Sequence, residues 1–229
     1  MNDLTDEEDV LHDECGVVGV YLNADPIDTS AMSASSLAYY GMYSLQHRGQ
    51  ESAGIAVSDG SDVKVHKLMG LVADVFKRED LDALSGRIAV AHVRYATAGG
   101  CTIENAQPMV YRFKLGTVAV AHNGQLVNYE QLREMLEESG SSFNSTSDTE
   151  VIVKFIAKSY KKGLERALTD TIQLIKGSFA LCVMTQDCLI GARDPNGIRP
   201  LCLGKLSGGW VLASESCAVD AMGADFVRD

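Results

Sequence analysis

The sequence predicts an α+β domain in which antiparallel β-sheets are covered by helices. Three observations carry that prediction. Short β-rich runs cluster instead of alternating with helices, tight turn signals join several of them, and the helical patterns come in blocks. Strand character marks 15–22, 53–58, 63–69, 87–95, 117–122, 178–185, 188–193 and 209–214. Asp59-Gly60, Leu115-Gly116 and Gly208-Gly209 are turn signals at the ends of such runs, and links this tight join antiparallel neighbours. Helical spacing covers 30–46, 128–139, 148–162 and about 163–175.

Each element has a local reason. The run from Cys15 is apolar (Gly-Val-Val-Gly-Val-Tyr-Leu), as a buried strand requires. In Ile88-Ala-Val-Ala-His-Val-Arg-Tyr, alternation puts Arg94 in phase with Ile88, Val90 and His92, while Ala89, Ala91, Val93 and Tyr95 take the other face. In 128–139 Asn128 is placed to cap, Leu132, Met135 and Leu136 line one face, and Gly140 follows as a stop. Ser147-Asp-Thr-Glu150 opens the next helix as a capping box, and Val151, Ile152, Phe155, Ile156 and Tyr160 then form one stripe. No repeat or low-complexity linker divides the chain, so its 229 residues are expected to form one domain. A chain of this size buries about 70–75% of its unfolded surface and needs neither disulfides nor metal to hold a core.

The balance of 31 acidic to 20 basic residues gives a net charge of −11, which disfavours nucleic acid and anionic membranes as partners. No apolar run approaches a bilayer-spanning length, and MNDLTDEEDVLHDE lacks the basic and apolar regions of a signal peptide. A cytoplasmic protein is the expectation. The acidity is concentrated: residues 1–14 carry seven acids and no Lys or Arg, and without them the net charge is −4. That leader reads either as a solvated terminus or as a removable pro-segment ending at Glu14. Cysteines 15, 101, 182, 188, 202 and 217 make no C-x-x-C pair and no zinc spacing, so most are read as reduced small hydrophobes, notably Cys182 within Phe179-Ala-Leu-Cys-Val-Met. No metal site, HExxH or phosphate-binding loop is present as a motif.

Five polar motifs interrupt otherwise apolar elements: Cys15-Gly16, the string LQHRGQESAGI at 45–55, HVRYATAG at 92–99, His122-Asn-Gly124, and Ser147-Asp-Thr-Glu150. A cysteine opening a strand is ordinarily packing, Asn-Gly after a strand is ordinarily a turn, and Ser-Asp-Thr-Glu is ordinarily a cap, although a cap does not require Asp148. Arg94, at the end of a buried strand, needs a carboxylate partner, and pattern alone leaves a structural salt bridge and an anion-binding site equally open.

Together with DPNGIRPL at 194–201, these strings resemble the glutaminase domain of the class II glutamine amidotransferases, a family of N-terminal-nucleophile hydrolases. Within that family the resemblance, over about residues 13–229, is closest to the amidophosphoribosyltransferase branch. Branches that make glucosamine phosphate or asparagine share the cysteine, the Arg motif, Asn-Gly and Ser-Asp-Thr-Glu. They are expected to carry a tyrosine-containing first motif and Trp in place of Tyr95, so LQHRGQESAGI and DPNGIRPL favour the phosphoribosyl branch.

The resemblance implies a four-layer αββα fold and a pro-segment, 1–14, that is cut off to leave a domain spanning 15–229. It implies that Cys15 is then an N-terminal nucleophile whose own α-amine serves as base, which would account for the lack of a Cys–His or Ser–His–Asp arrangement. Arg94 should hold the α-carboxylate of glutamine and Asp148 its α-ammonium. The Asn123 side chain and the Gly124 N–H should bind the oxyanion, with Thr97 a further candidate for the pocket and 92–99, with Gly99 and Gly100, a candidate gating loop. Such a set suits a zwitterionic substrate and a tetrahedral intermediate, which call for one fixed cation, one fixed anion and two convergent donors. The implied function is ammonia release from glutamine for synthesis of 5-phosphoribosylamine from phosphoribosyl diphosphate, the first step of purine synthesis. The alternatives are the glutaminase domain of a glucosamine-phosphate or asparagine synthase, or a non-catalytic glutamine-binding module. No cofactor is expected within this chain. Mg and an iron–sulfur cluster belong, if anywhere, to the full-length relatives, which are homo-oligomeric and carry a phosphoribosyltransferase domain expected to be missing here.

Overall fold

The computed structural model describes residues 15–24, 32–95 and 101–229. The apolar run after Cys15 forms β1 (Gly16–Leu22), followed by α1 (Ala34–Ser44), β2 (Ser52–Ser58) and β3 (Val63–Met69). Two short helices, α2 (Val72–Val75) and α3 (Arg78–Ala83), lead into β4 (Ile88–Arg94). The hairpin of β5 (Met109–Phe113) and the long β6 (Gly116–Leu126) comes next, then a block of helices α4 (Tyr129–Glu138), α5 (Asp148–Ser159) and α6 (Leu164–Leu174). The chain continues as β7 (Gly177–Met184), β8 (Leu189–Arg193), β9 (Cys202–Leu206), β10 (Gly209–Ala213), α7 (Ser216–Ala221) and β11 (Asp225–Arg228).

These strands form a seven-stranded sheet ordered β11-β9-β10-β1-β4-β2-β3 and a four-stranded sheet ordered β5-β6-β7-β8, with antiparallel pairing throughout both. Alternation along β4 explains how they stack. Ala89, Ala91 and Val93 join an outer core with Leu37, Ala38 and Met42 of α1, whereas Ile88 and Val90 pack between the sheets with Ala119, Ala121, Ala180 and Cys182. A third core buries Val118 and Val120 of β6 beneath Leu132, Ile152, Phe155 and Leu168 of α4–α6. The order of layers is therefore helix, sheet, sheet, helix, as the family resemblance implies. Small residues let the sheets approach: a Cβ on Gly19 would lie 3.2 Å from Leu189 and 3.4 Å from Cys182 Sγ.

Several local readings change. The strands β5, β9 and β11 and the helices α2, α3 and α7 are absent from the sequence reading. They are short, and β11 is exposed along its whole length, so they carry little periodic signal. Asn128 stands at the N-cap position of α4, but its side chain caps nothing. It bridges instead to the end of α6, donating to the Leu174 carbonyl and accepting from the Lys176 N–H. Ser147 caps α5, whereas Glu150 turns to the Asn144 and Ser145 N–H groups, so the reciprocal half of the box is not made. Met135, expected on the buried face of α4 beside Leu132 and Leu136, is 53% exposed.

Candidate active site

Cys15 lies one residue ahead of β1, and the register Gly16↔Val93 places it beside the end of β4, where Arg94 sits. Its backbone is gripped by the 46–49 turn. The Cys15 N–H donates to the Arg48 carbonyl at 3.0 Å, and Arg48 Nε donates back to the Cys15 carbonyl at 2.7 Å. Arg48, 1% exposed, is in turn held by Glu215, whose Oε1 is 2.5 Å from Nη1 and 3.1 Å from His47 Nε2. Burial works to raise the Glu215 carboxyl, yet the hydrogen bonds from Arg48 and His47 bring it below the usual carboxylate range. Cys15 itself has φ of 60°, in the left-handed region that costs a non-glycine residue roughly 1–2 kcal/mol. Its Sγ points toward the Tyr95 carbonyl at 3.7 Å.

Of the two readings left open for Arg94, the structure shows the salt bridge. The Nη1 of Arg94 is 2.5 Å from Glu51 Oε1, a buried ion pair, and the same residue lines a cleft of about 710 Å³. Gly49 permits this close assembly, because a Cβ there would come within 2.7 Å of the Arg94 and Val93 backbone. The string LQHRGQESAGI is thereby accounted for: His47 and Arg48 hold the Cys15 turn, Gly49 lies flat on β4, and Glu51 orients Arg94.

Across the cleft stands β6. Asn-Gly is no turn here, since the strand runs unbroken through Asn123 and Gly124, which pair with Ala180 and Phe179 of β7. Gly124 has φ of 146°, and a Cβ on it would meet the Ser178 carbonyl oxygen at 2.0 Å, so no larger residue fits. Asn123 is fully buried, and neither its Oδ1 nor its Nδ2 has a partner among the described residues. Where β5 stops, the Gln107 side chain continues its role: it accepts from the His122 N–H at 2.8 Å and donates to the His122 carbonyl at 3.3 Å. Asp148, first residue of α5, accepts from the Leu126 N–H at 2.9 Å and lies 3.5 Å from His122 Nδ1. Burial opposes its charge, but His122 and the backbone N–H groups hold its carboxyl below the usual range.

Cys15, Arg94, Gly124 and Asp148 thus line one cleft, with Gln107 and His122 beside them. Asn123, fully buried between His122 and Gly124 on β6, is not one of the lining residues, and Thr97 falls outside the described residues, as do the leader 1–14 and the loop glycines 99 and 100. Chemically the cleft offers the Cys15 thiol, the Arg94 cation and two carboxylates, Asp148 and Glu130, which includes the thiol, cation and anion that a zwitterionic amide requires. The remaining cysteines are poor thiolates. Burial pushes Cys182 up to about 12 and Cys202 up to about 11, burial also raises Cys188 and Cys217, and a hydrogen bond to Glu51 raises Cys101. Among the described residues no group of three or more His, Cys, Asp or Glu side chains could hold a metal ion, and no helix is long and apolar enough to cross a membrane. The sequence reading missed Arg48, Glu51, Gln107, His122 and Glu215 as site residues. Arg48, Glu51 and His122 stand inside motifs that it quoted, whereas Gln107 and Glu215 carry no local signal at all.

Comparison with known proteins gives concordant results. The model of the glutamine amidotransferase domain family matches residues 92–221. The amidophosphoribosyltransferase of Staphylococcus aureus (strain MRSA252) is 45% identical over 221 residues, covering 96% of this chain and 43% of that protein. The amidophosphoribosyltransferase of Archaeoglobus fulgidus is 46% identical over 217 residues, covering 94% of this chain and 46% of that protein. Among solved structures, the glutamine phosphoribosylpyrophosphate amidotransferase of B. subtilis complexed with ADP and GMP superposes with a TM-score of 0.84 at 42% identity, over 93% of this chain and 45% of that one. The chain spans less than half the length of these relatives.

Proposed function

The chain belongs to the glutamine amidotransferase domain family, and on that footing we propose that it releases ammonia from glutamine for transfer to phosphoribosyl diphosphate, as in an amidophosphoribosyltransferase. The observation that carries the reading is the convergence of Cys15, Arg94, Gly124 and Asp148 on one cleft.

Removal of residues 1–14 turns the Cys15 amide into an α-amine. An amide nitrogen cannot take a proton, whereas an α-amine titrates at about 7.7–8.0 and can do so near neutrality. The Arg48 carbonyl, which accepts from that nitrogen at 3.0 Å, would keep the new amine beside Sγ. Arg94 binds the glutamine α-carboxylate and Asp148 the α-ammonium, which lays the carboxamide against Cys15. The amine takes the thiol proton, Sγ bonds to the carboxamide carbon, and the oxyanion is met by the Asn123 amide and the Gly124 N–H. An amide that is buried without a partner is costly, and an incoming oxyanion would satisfy it. The C–N bond then breaks, the amine returns its proton to the leaving ammonia, and water hydrolyses the γ-glutamyl thioester to glutamate. Thr97 remains part of the proposed pocket. The acceptor, phosphoribosyl diphosphate, is drawn from the names of the relatives. It would be bound by a phosphoribosyltransferase region, giving 5-phosphoribosylamine.

The test is to compare chains that begin at Met1 and at Cys15, checked by intact mass. Only the chain beginning at Cys15 should release glutamate from glutamine, and an electrophilic glutamine analogue should label Cys15 and fail on Cys15→Ser. Equal activity from the unprocessed chain, or labelling at Cys101 or Cys217, would overturn the mechanism. Arg94→Ala and Asp148→Ala should each raise KM far more than they lower kcat, because loss of one partner of a desolvated charge pair costs roughly 2–5 kcal/mol.

A further inference from the structure

His122 sits beneath the cleft, and no step above uses it. Alternation along β6 turns it to the α5 side, in phase with Val120 and Gly124. Its side chain is 1% exposed, with Nδ1 3.2 Å from Thr149 Oγ1 and 3.5 Å from Asp148 Oδ1. Its backbone cannot drift, because Gln107 holds its N–H and its carbonyl, and His92 Nε2 donates to the same carbonyl at 3.0 Å. Nε2 has no partner among the described residues, and a Cβ on Gly124 would stand 2.9 Å from it. Glycine at 124 therefore leaves room for this ring as well as for substrate.

Thr149 Oγ1, at 3.2 Å, can accept from Nδ1 or donate to it, whereas the Asp148 carboxylate, at 3.5 Å, can only accept; a proton on Nδ1 suits both partners and leaves a neutral ring with a bare Nε2. Asp148 Oδ2 already accepts from the Leu126 N–H, which leaves Oδ1 shared between His122 and whatever cation enters the cleft. A donor on Nδ1 fixes the orientation of that carboxylate from behind. The other titratable groups lining the cleft are Cys15, Arg94, Tyr95, Tyr129 and Glu130, and His92 lies behind the His122 carbonyl. Glu150, also on α5, is turned away onto Asn144, Ser145 and Lys154. His92 contributes no charge, since burial pushes its imidazole down to about 3.

We propose that His122 is a positioning residue that aims the Asp148 carboxylate at the ammonium subsite. The proposal rests on the glutamine reading of the cleft, and the test lets the two fail separately. KM and kcat for glutamine are measured at one pH with chains beginning at Cys15. His122→Leu lacks the donor, and its KM should rise about tenfold or more with a smaller change in kcat. His122→Asn keeps a donor near the Nδ1 position, so its KM should stay near that of the wild type. A His122→Leu KM equal to wild type, or a His122→Asn KM raised as far as that of His122→Leu, would overturn the proposal while glutamine hydrolysis stands. Absence of hydrolysis in the wild-type chain would overturn the glutamine reading and the proposal with it.

Discussion

On the seven-stranded side of the cleft both arginines are tied to fixed partners: Arg48 holds the Cys15 carbonyl and Glu215, and Arg94 holds Glu51. Single atoms of Glu51, Ser52 and His92 are buried without partners on that side as well, but on the four-stranded side a whole side-chain amide, Asn123, has neither polar atom paired among the described residues, and His122 Nε2 is unpaired beside it. The contrast separates two jobs. A nucleophile must sit in one place before substrate arrives, so its wall is paired in advance. A wall that receives developing charge gains most when its donors have nothing else to bind, at a cost in folding stability.

That contrast is most directly broken on the paired wall. Arg48→Ala should cost about 3–5 kcal/mol of stability by leaving a carboxylate partly buried without its partner, read as a lowered urea midpoint at unchanged slope. Adding Glu215→Gln should recover part of that loss, because the orphaned charge is gone. A neutral Arg48→Ala would show that the clamp is ornamental and the two walls are alike.

On the unpaired wall the signs should separate. Asn123→Leu removes two unpartnered polar atoms and keeps the volume, so the melting temperature should hold or rise. Meanwhile kcat should fall about 10²–10³-fold, the equivalent of roughly 2.7–4 kcal/mol, as for loss of one oxyanion donor. A fall in both stability and kcat would mean that Asn123 is structural.

The smallest expected effect sharpens the boundary between the walls, where His92 of β4 donates to the His122 carbonyl. Its imidazole is held neutral by burial, titrating at about 3 when folded against 6.5 in the unfolded chain. Between those values the unfolded state binds the extra proton, so this contribution is complete above pH 6.5 and is lost as pH falls toward 3. At pH 5 the loss should be about 2 kcal/mol, and His92→Gln should abolish it. An unchanged pH slope in His92→Gln would assign the loss to other groups.

Local pattern carried a good part of this molecule. Strict alternation placed Arg94 on the inner face of β4, and the apolar stripe of α5 put Asp148 on the first turn of a helix whose buried side is fixed. Glycines at 49 and 124 stand inside the quoted motifs, but their close approaches of backbone to backbone appear only in the structure. Pattern failed where a side chain serves something distant. Asn128 looks like a cap and ties to the end of α6 instead, and Glu150 looks like half of a capping box and serves the preceding loop. Periodicity reports which face of an element is buried and is silent about what waits on the other side.

The sequence by itself determined the buried faces and the order of the chemically active strings, because each depends on residues within one strand or one helix of each other, whereas the four layers were implied only by the family resemblance. Only the tertiary structure decided that Arg48 grips Cys15, that Glu215 from the far end of the chain anchors Arg48, and that Gln107 extends β5 to hold His122. Those pairings join residues 15 to 167 positions apart. They are set by the register of β1 against β4 and by how closely small residues let the two sheets stack, and neither quantity is written in any short window of sequence.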